Sequence, residues 1–298
     1  MTEPTSSSMR GRVVVVTGGT SGIGLEIVRG LAIRGAHAVV VGRGPGRAEA
    51  VADEMRRSTG NPDVEAVEVT DLGARAEWSH LAQELRRRLS ALHVLVNNAG
   101  AYYARRETTE DGLERSFALN VLAPLALTTL LQDRLRSSAP ARVVNVASAA
   151  HEGHDVHLDD LQGVREYHGY GAYGRSKLEL ILLTRELARR FAGTGVTVNS
   201  VHPGFVRSGF GLNNGGGTAF LLRTLALVMG KSPRRGAVLP IRLASDPELA
   251  NVSGAYFSRS GEVSGSPASR DLAMARRLYD ACLPVAELPE IPLPTELR

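Results

Sequence analysis

The sequence predicts an α/β fold in one domain, a doubly wound parallel sheet with helices on both faces. Three observations predict it. Short apolar, β-branched runs alternate with segments of helical periodicity as far as residue 201. Those runs are apolar throughout, as expected of strands buried on both faces. Polar or glycine-rich turns follow the first, fourth, fifth and sixth runs, at the edge where open parallel sheets bind ligands.

Val13–Val16 is the first run, and it stops at Gly18-Gly19-Thr20-Ser21-Gly22-Ile23-Gly24. A helix then extends to about Ile33, because Leu25, Val28 and Leu31–Ala32 recur at helical spacing, and Gly35 ends it. Ala38–Val41 is the second strand, cut off by Gly42-Arg43-Gly44-Pro45, and a charged helix covers about Arg47–Ser58. Val64–Val69 is the third, followed by Asp71-Leu72 and a helix over about Ala74–Leu89. The fourth, Leu92–Val96, ends at Asn97-Asn98-Ala99-Gly100. A long helical stretch contains Leu113–Leu135, and Val143–Ala147 is the fifth strand. A helix of about Ala172–Phe191 precedes the sixth, Val196–Val201.

Two segments read as additions to this frame, His151–Gly171 and Gly209–Pro233. Within the second, the apolar stretch Ala219–Met229 is open to three readings: a core helix, a lid over a site, or a surface anchor. No linker or internal repeat divides the chain. Residues 12–298 therefore form one domain with a lid-like insertion at about 209–233, and residues 1–11 form a loose tail.

Composition narrows the function classes. Of 298 residues, 43% are hydrophobic and 22% charged, which suits a globular protein with a full core and argues against disorder. The net charge of +4 comes from basic residues interspersed with acidic ones, a solvated surface rather than a nucleic-acid face. No apolar run approaches the ~20 residues a bilayer span needs. The opening MTEPTSSSMRGR has no hydrophobic segment of a secretory signal. The single cysteine, Cys282, excludes an intrachain disulfide framework, and the expected location is cytoplasmic. His151, His154 and His157 recur every three residues, but in a loop without a completing carboxylate motif, so no metal site is expected. Trp78 and Cys282 are expected to pack, His202 to be structural, and His151 to lie near the pocket rim. Tyr102 and Tyr103 are candidates for substrate contact.

The glycine turn has a mechanical reading. Gly18 permits a tight turn, Gly22 lets a pyrophosphate approach the backbone, and Gly24 lets helix and strand pack closely. The helix N-terminus then offers free N–H groups and a positive dipole end. An acid at the end of the second strand would accept from a ribose 2′-OH. This strand ends Val41-Gly42-Arg43 instead, and a guanidinium suits a 2′-phosphate. NADP is the expected cofactor, with Arg47 a second contact.

Tyr173 and Lys177 stand four residues apart, on one face of a helix. A phenol with its ordinary pKa of ~10 is a poor acid–base catalyst at neutral pH. A neighbouring cation favours the phenolate and moves that pKa toward the working range. Alone the pair is an ordinary helix-surface coincidence. Ser148 after the fifth strand, Asn98-Ala99-Gly100 after the fourth and Pro203-Gly204 after the sixth bring polar or glycine-rich turns to the same rim.

These motifs in this order resemble the short-chain dehydrogenase/reductase family over about residues 11–285, which implies a Rossmann fold. TGGTSGIG at Thr17–Gly24 is similar to the family's cofactor loop, NNAG at Asn97–Gly100 to its structural motif, and YGRSK at Tyr173–Lys177 to its active-site motif. Asn120 in ALNVLAP, Ser148 in VNVAS and His202-Pro203-Gly204 also fit. The resemblance implies that Tyr173 is the general acid/base, Lys177 lowers its pKa and holds the nicotinamide ribose, and Ser148 orients the substrate oxygen. It implies that Asn120 anchors a relay water; a helix kink or cap is the other reading of that residue. Gly18, Thr20, Ser21, Gly22, Ile23 and Gly24 would bind the phosphates. Asp71 and Leu72 would contact the adenine, Asn98, Ala99 and Gly100 its ribose, and Pro203, Gly204 and Val206 the nicotinamide.

ASAAHEG, LDDLQ and LASDPELANVSGAYFS resemble the retinol-dehydrogenase-like branch, although the N-terminal anchor of some members is not seen. The resemblance implies an NADP(H)-dependent oxidoreductase, carbonyl reductase or alcohol dehydrogenase, acting on a lipophilic carbonyl or alcohol. Homodimer formation through the helices at about Leu113–Leu135 and Ala172–Phe191 is the family's habit. The alternatives are a biosynthetic tailoring ketoreductase, epimerase or dehydratase on the same scaffold, or a non-catalytic cofactor-binding sensor.

Overall fold

The computed structural model describes residues 8–206, 231–259 and 261–297. Most of the insertion at 209–233, including Ala219–Met229, lies outside the described residues. Its flanks meet: Lys231 donates its N–H to the carbonyl of Phe205 at 2.8 Å, beside a bridge between Val206 and Lys231.

Strand β1 (Val13–Thr17), helix α1 (Gly22–Ile33), β2 (His37–Arg43), α2 (Arg47–Thr59), β3 (Val64–Val69), α3 (Arg75–Arg88) and β4 (Val94–Asn97) follow in turn. Then come α4 (Arg115–Phe117), α5 (Ala123–Leu130), α6 (Gln132–Ser137), β5 (Ala141–Val146), α7 (Gly169–Arg190) and β6 (Val196–His202). The remainder is α8 (Pro233–Ser245), β7 (Tyr256–Ser258), β8 (Gly261–Val263) and α9 (Leu272–Ala286). The sheet runs β3-β2-β1-β4-β5-β6-β7-β8, parallel except for antiparallel β8. Chain order reverses at β1, which pairs Val14 with Ala38 on one side and Val94 on the other. A crevice opens at such a reversal beyond the strand carboxyl ends.

Alternation along β1 divides the core. Val15 joins a cluster with residues of α3, α5, α7 and α9, whereas Val14 and Val16 join residues of α1, α2 and α8. Gly35 (φ 83°) and Gly60 (φ 69°) take the left-handed backbone that lets the chain leave α1 and α2.

The helix expected over 113–135 is interrupted. A π-turn, Ala118–Leu122, separates α4 from α5, and Ala123 N–H bonds the carbonyl of Ala118 five residues back. Pro124 has no N–H to offer the carbonyl of Asn120, so regular α spacing cannot pass through this point. Helix α7 begins at Gly169, earlier than expected. A Cβ there would come within 2.6 Å of the Tyr103 carbonyl, so this glycine serves close packing rather than helix termination.

The C-terminal elements were not assigned from periodicity. Ser232 caps α8 by accepting from Arg235 N–H, and Ile241 packs against Gly30 of α1. Asp271 caps α9 through Met274 N–H at 2.9 Å, and α9 lies along α7. Buried Arg190 of α7 stacks on Tyr279 at 3.9 Å and pairs with Glu186 at 2.7 Å and Glu290 at 2.6 Å. Among the described residues no helix is long and apolar enough to cross a membrane.

Candidate active site

A cavity of about 910 Å³ opens at the carboxyl ends of β1, β2, β4, β5 and β6. Gly18, Thr20, Ser21, Gly22, Ile23 and Gly24 form one wall. Arg43, Asp71 and Leu72 stand at one end, Asn98, Ala99 and Gly100 in the middle, and Ser148, Tyr173 and Lys177 at the other end with Pro203, Gly204 and Val206. Of the residues expected at the site from sequence, Asn120, Tyr102 and His151 do not line it.

Gly18 (φ 64°) and Gly22 (φ 56°) are left-handed, and a Cβ on Gly24 would collide with the Gly18 carbonyl and the Asn98 amide. Asn98 braces the turn: its Nδ2 donates to the carbonyls of Thr17 (2.9 Å) and Gly18 (3.2 Å). Thr17, missed by the sequence analysis, accepts at Oγ1 from the N–H groups of Asn98 and Ala99, both at 3.1 Å. Ser21 makes no side-chain cap on α1, and the first turn holds no acid. The N–H groups of Gly22, Ile23 and Gly24 come before the first α-bond, which runs from Leu25 to Ser21. Donors and a positive helix end beside a cavity fit a pyrophosphate.

At the adenosine end, Arg43 is the last residue of β2. Arg43 and Arg47 are exposed, both line the cavity, and neither has a carboxylate partner among the described residues. Thr20 packs over Gly42 so closely that a Cβ there would strike its methyl group. Asp71 accepts from Gly73 N–H at 2.9 Å and lies 3.3 Å from Arg115. Arg115, also missed, lies over the Tyr103 ring at 5.8 Å.

At the other end, Ser148 follows β5 and hydrogen-bonds Tyr173 through its side chain. It also accepts from Ala150 N–H at 3.2 Å. Lys177 donates to the carbonyl of Val146 at 3.1 Å, with Nζ 5.7 Å from the Tyr173 ring centroid. Burial pushes the Tyr173 phenol up to about 12, only partly offset by the Ser148 hydrogen bond, and burial lowers Lys177 to about 8. Burial is thus the dominant influence on Tyr173, and the Lys177 ammonium is committed to a carbonyl. At neutral pH the phenol keeps its proton.

Asn120 is wholly buried behind the cavity wall. Its Oδ1 accepts from Ala101 N–H (3.0 Å), and its Nδ2 donates to the Ala101 carbonyl (2.9 Å) and Ser176 Oγ (3.0 Å). Gly100 fits between it and α7, since a Cβ there would lie 3.0 Å from Asn120 Oδ1 and 3.2 Å from Lys177 Nζ. The side chain braces the turn after β4 from within the π-turn.

A family model described as short chain dehydrogenase matches residues 12–214. The chain belongs to the short-chain dehydrogenase family. Retinol dehydrogenase 13 of Mus musculus is 37% identical over 281 residues, covering 93% of this chain and 84% of that protein. A crystal structure of an uncharacterized protein from Mycobacterium paratuberculosis is 30% identical with a TM-score of 0.78, over 98% of this chain and 100% of that one. The Pseudomonas aeruginosa RhlG/NADP active-site complex is 30% identical with a TM-score of 0.66, over 86% and 97% of the two chains.

Several residues of this short-chain dehydrogenase sit differently from expectation. His151 is fully buried behind Ser148 rather than at the rim. His202 lines the cavity, its buried Nδ1 has no hydrogen-bond partner, and burial lowers its pKa to about 4, so it faces the site neutral. Tyr103 lines the cavity, and Tyr102 meets the Tyr173 ring edge-on at 6.3 Å. Tyr170 and Phe205, 63% and 50% exposed, give the cavity an aromatic mouth. Among the described residues no cluster of three or more His, Cys, Asp or Glu side chains is placed to hold a metal.

Proposed function

We propose that the protein is an NADP(H)-dependent oxidoreductase that interconverts a lipophilic carbonyl compound and its alcohol. The observation that carries this is the hydrogen-bonded Ser148–Tyr173 pair, with Lys177 one turn away, in the same cavity as an uncapped helix N-terminus. When bound, the cofactor supplies or accepts the hydride. The N–H groups of Gly22 to Gly24 would hold its pyrophosphate, and Arg43, with Arg47 beside it, would hold the 2′-phosphate. Ser148 donates a hydrogen bond to the substrate oxygen, and Tyr173 gives that oxygen its proton in reduction or takes it back in oxidation. Lys177, whose Nζ lies 5.7 Å from the Tyr173 ring centroid, would hold the ribose of the bound cofactor. The aromatic mouth and the retinol dehydrogenases among the relatives support an apolar substrate. A cytoplasmic location, compatible with the lone buried thiol of Cys282, is part of the same reading.

The test is fluorescence titration with NADPH and NADH, followed by turnover of aliphatic aldehydes and of retinal. NADPH should bind tighter, and Arg43→Ala should narrow the difference about tenfold, the worth of one charge-assisted hydrogen bond. Preference for NADH would sink the Arg43 assignment, and binding of neither would refute the reading.

A further inference from the structure

His151 follows the catalytic serine by three residues, in the single turn Ala149–His151, and none of it reaches solvent. Both ring nitrogens are engaged. Nδ1 lies 2.8 Å from the carbonyl oxygen of Ser148, and Nε2 lies 3.2 Å from the backbone nitrogen of Ser266. A backbone N–H can only donate, so Nε2 is the acceptor. The one proton of the neutral ring then sits on Nδ1 and is donated to Ser148.

The far end of this strut is anchored to the helix that carries Tyr173. Ser269 donates N–H and Oγ–H to the Ser266 carbonyl at 3.1 and 2.7 Å, and Arg185 of α7 donates from Nε to the Ser269 carbonyl at 2.8 Å. Tyr256 of β7 closes edge-on against the imidazole at 5.0 Å. A chain of bonds therefore runs Ser148–His151–Ser266–Ser269–Arg185, joining the serine loop to α7 from outside the cavity. Among the described residues, Ser148 Oγ has the 3.2 Å bond from Ala150 N–H and its bond to Tyr173 to hold it.

We infer that His151 is a positioning residue: by donating from Nδ1 to the Ser148 carbonyl it holds the serine hydroxyl in register with Tyr173. This rests on the roles given above to Ser148 and Tyr173. His151 and Ser266 do not line the cavity, so the effect reaches the site through the turn that carries Ser148 and not by direct contact.

The two amide side chains separate the two bonds. In His151→Asn the amide nitrogen falls near the place of Nδ1 and preserves the bond to Ser148. In His151→Gln the amide reaches the place of Nε2 and preserves only the tether to Ser266. Both lose ring packing, so both should lower Tm. With NADPH and nonanal, His151→Asn should keep kcat within about threefold of the parent, whereas His151→Gln should lose about 10–100-fold, with NADPH affinity unchanged in both. Equal losses, or full kcat in His151→Gln, would overturn the proposal. Ser148→Ala, measured alongside, must lose turnover; if it does not, the reading of Ser148 has failed and the positioning role falls with it. Long-range ¹H–¹⁵N correlation on the unsubstituted protein should show the His151 proton on Nδ1, and a proton on Nε2 would overturn the inference without any activity assay.

Discussion

Gly171 and Gly174 stand three residues apart in α7, and replacing each with alanine should have opposite consequences. A Cβ on Gly171 meets nothing nearer than His168 Cβ at 3.6 Å, an ordinary contact. Alanine there gains helix propensity, about 0.5–1 kcal/mol, and should raise Tm by about 1–3 °C. A Cβ on Gly174 would lie 2.5 Å from the Ala150 carbonyl oxygen and would also collide with the His154 ring. His154 can rotate, but the carbonyl belongs to the backbone two residues from Ser148. Helix and loop must part by about half an ångström to reach a tolerable contact, at a cost of about 1–3 kcal/mol. Gly174 adjoins Tyr173, so the same movement separates Tyr173 from Ser148. Misplacement by 1 Å costs about 100-fold in rate, so half of it should cost about tenfold. The assay is NADPH oxidation with a saturating aldehyde, paired with an NADPH titration to show that the cofactor wall is intact. Full kcat in Gly174→Ala, at a lowered Tm, would refute the claim that this contact sets the Ser148–Tyr173 distance.

Lys177→Met should abolish turnover yet stabilise the fold. Lowering a buried lysine from 10.5 to about 8 corresponds to about 3 kcal/mol held against the charged form, and losing the bond to Val146 returns about 1 kcal/mol of it. The folded pKa lies below the unfolded one, so the gain in Lys177→Met is full below about pH 8 and vanishes toward 10.5; a pH-independent difference in Tm would contradict the burial argument. Reduction should hold level through neutral pH while oxidation rises with pH, because Tyr173 is protonated until about 12 and oxidation needs the phenolate; parallel pH profiles in the two directions would contradict this. Light scattering should return the single-chain mass of 31.8 kDa, since α9 lies along α7 and Ala123 to Thr129 of α5 are buried within the same chain; twice that mass would show pairing through another face.

Elements with a strong local signal were legible from sequence. β3 falls on Val64–Val69 as expected, α2 agrees with expectation to about a residue, and α1 ends at Ile33 as expected although it starts inside the glycine turn at Gly22, because apolar period and glycine caps coincide there. Where the deciding contact is distant, legibility fails. The helix over 113–135 looked continuous by periodicity, and only the missing N–H of Pro124, read against Asn120, marks the break. Gly169 looked like loop because its packing against Tyr103 cannot be read locally. β7 and β8 are three residues each, too short for a period, and owe their place to the edge of β6. The site was legible as motifs, since each carries its chemistry at fixed spacing. The braces were not: Thr17, Arg115 and His151 act through partners up to 115 residues away.

The central claim is that Tyr173 moves the proton while the rest of the site holds cofactor and substrate. Tyr173→Phe removes one oxygen from that position. Its rate of NADPH oxidation with a lipophilic aldehyde, set beside its NADPH dissociation constant, tests the claim most directly. The account predicts turnover lower by at least about 100-fold with an unchanged dissociation constant. Turnover within a few-fold of the parent would contradict it.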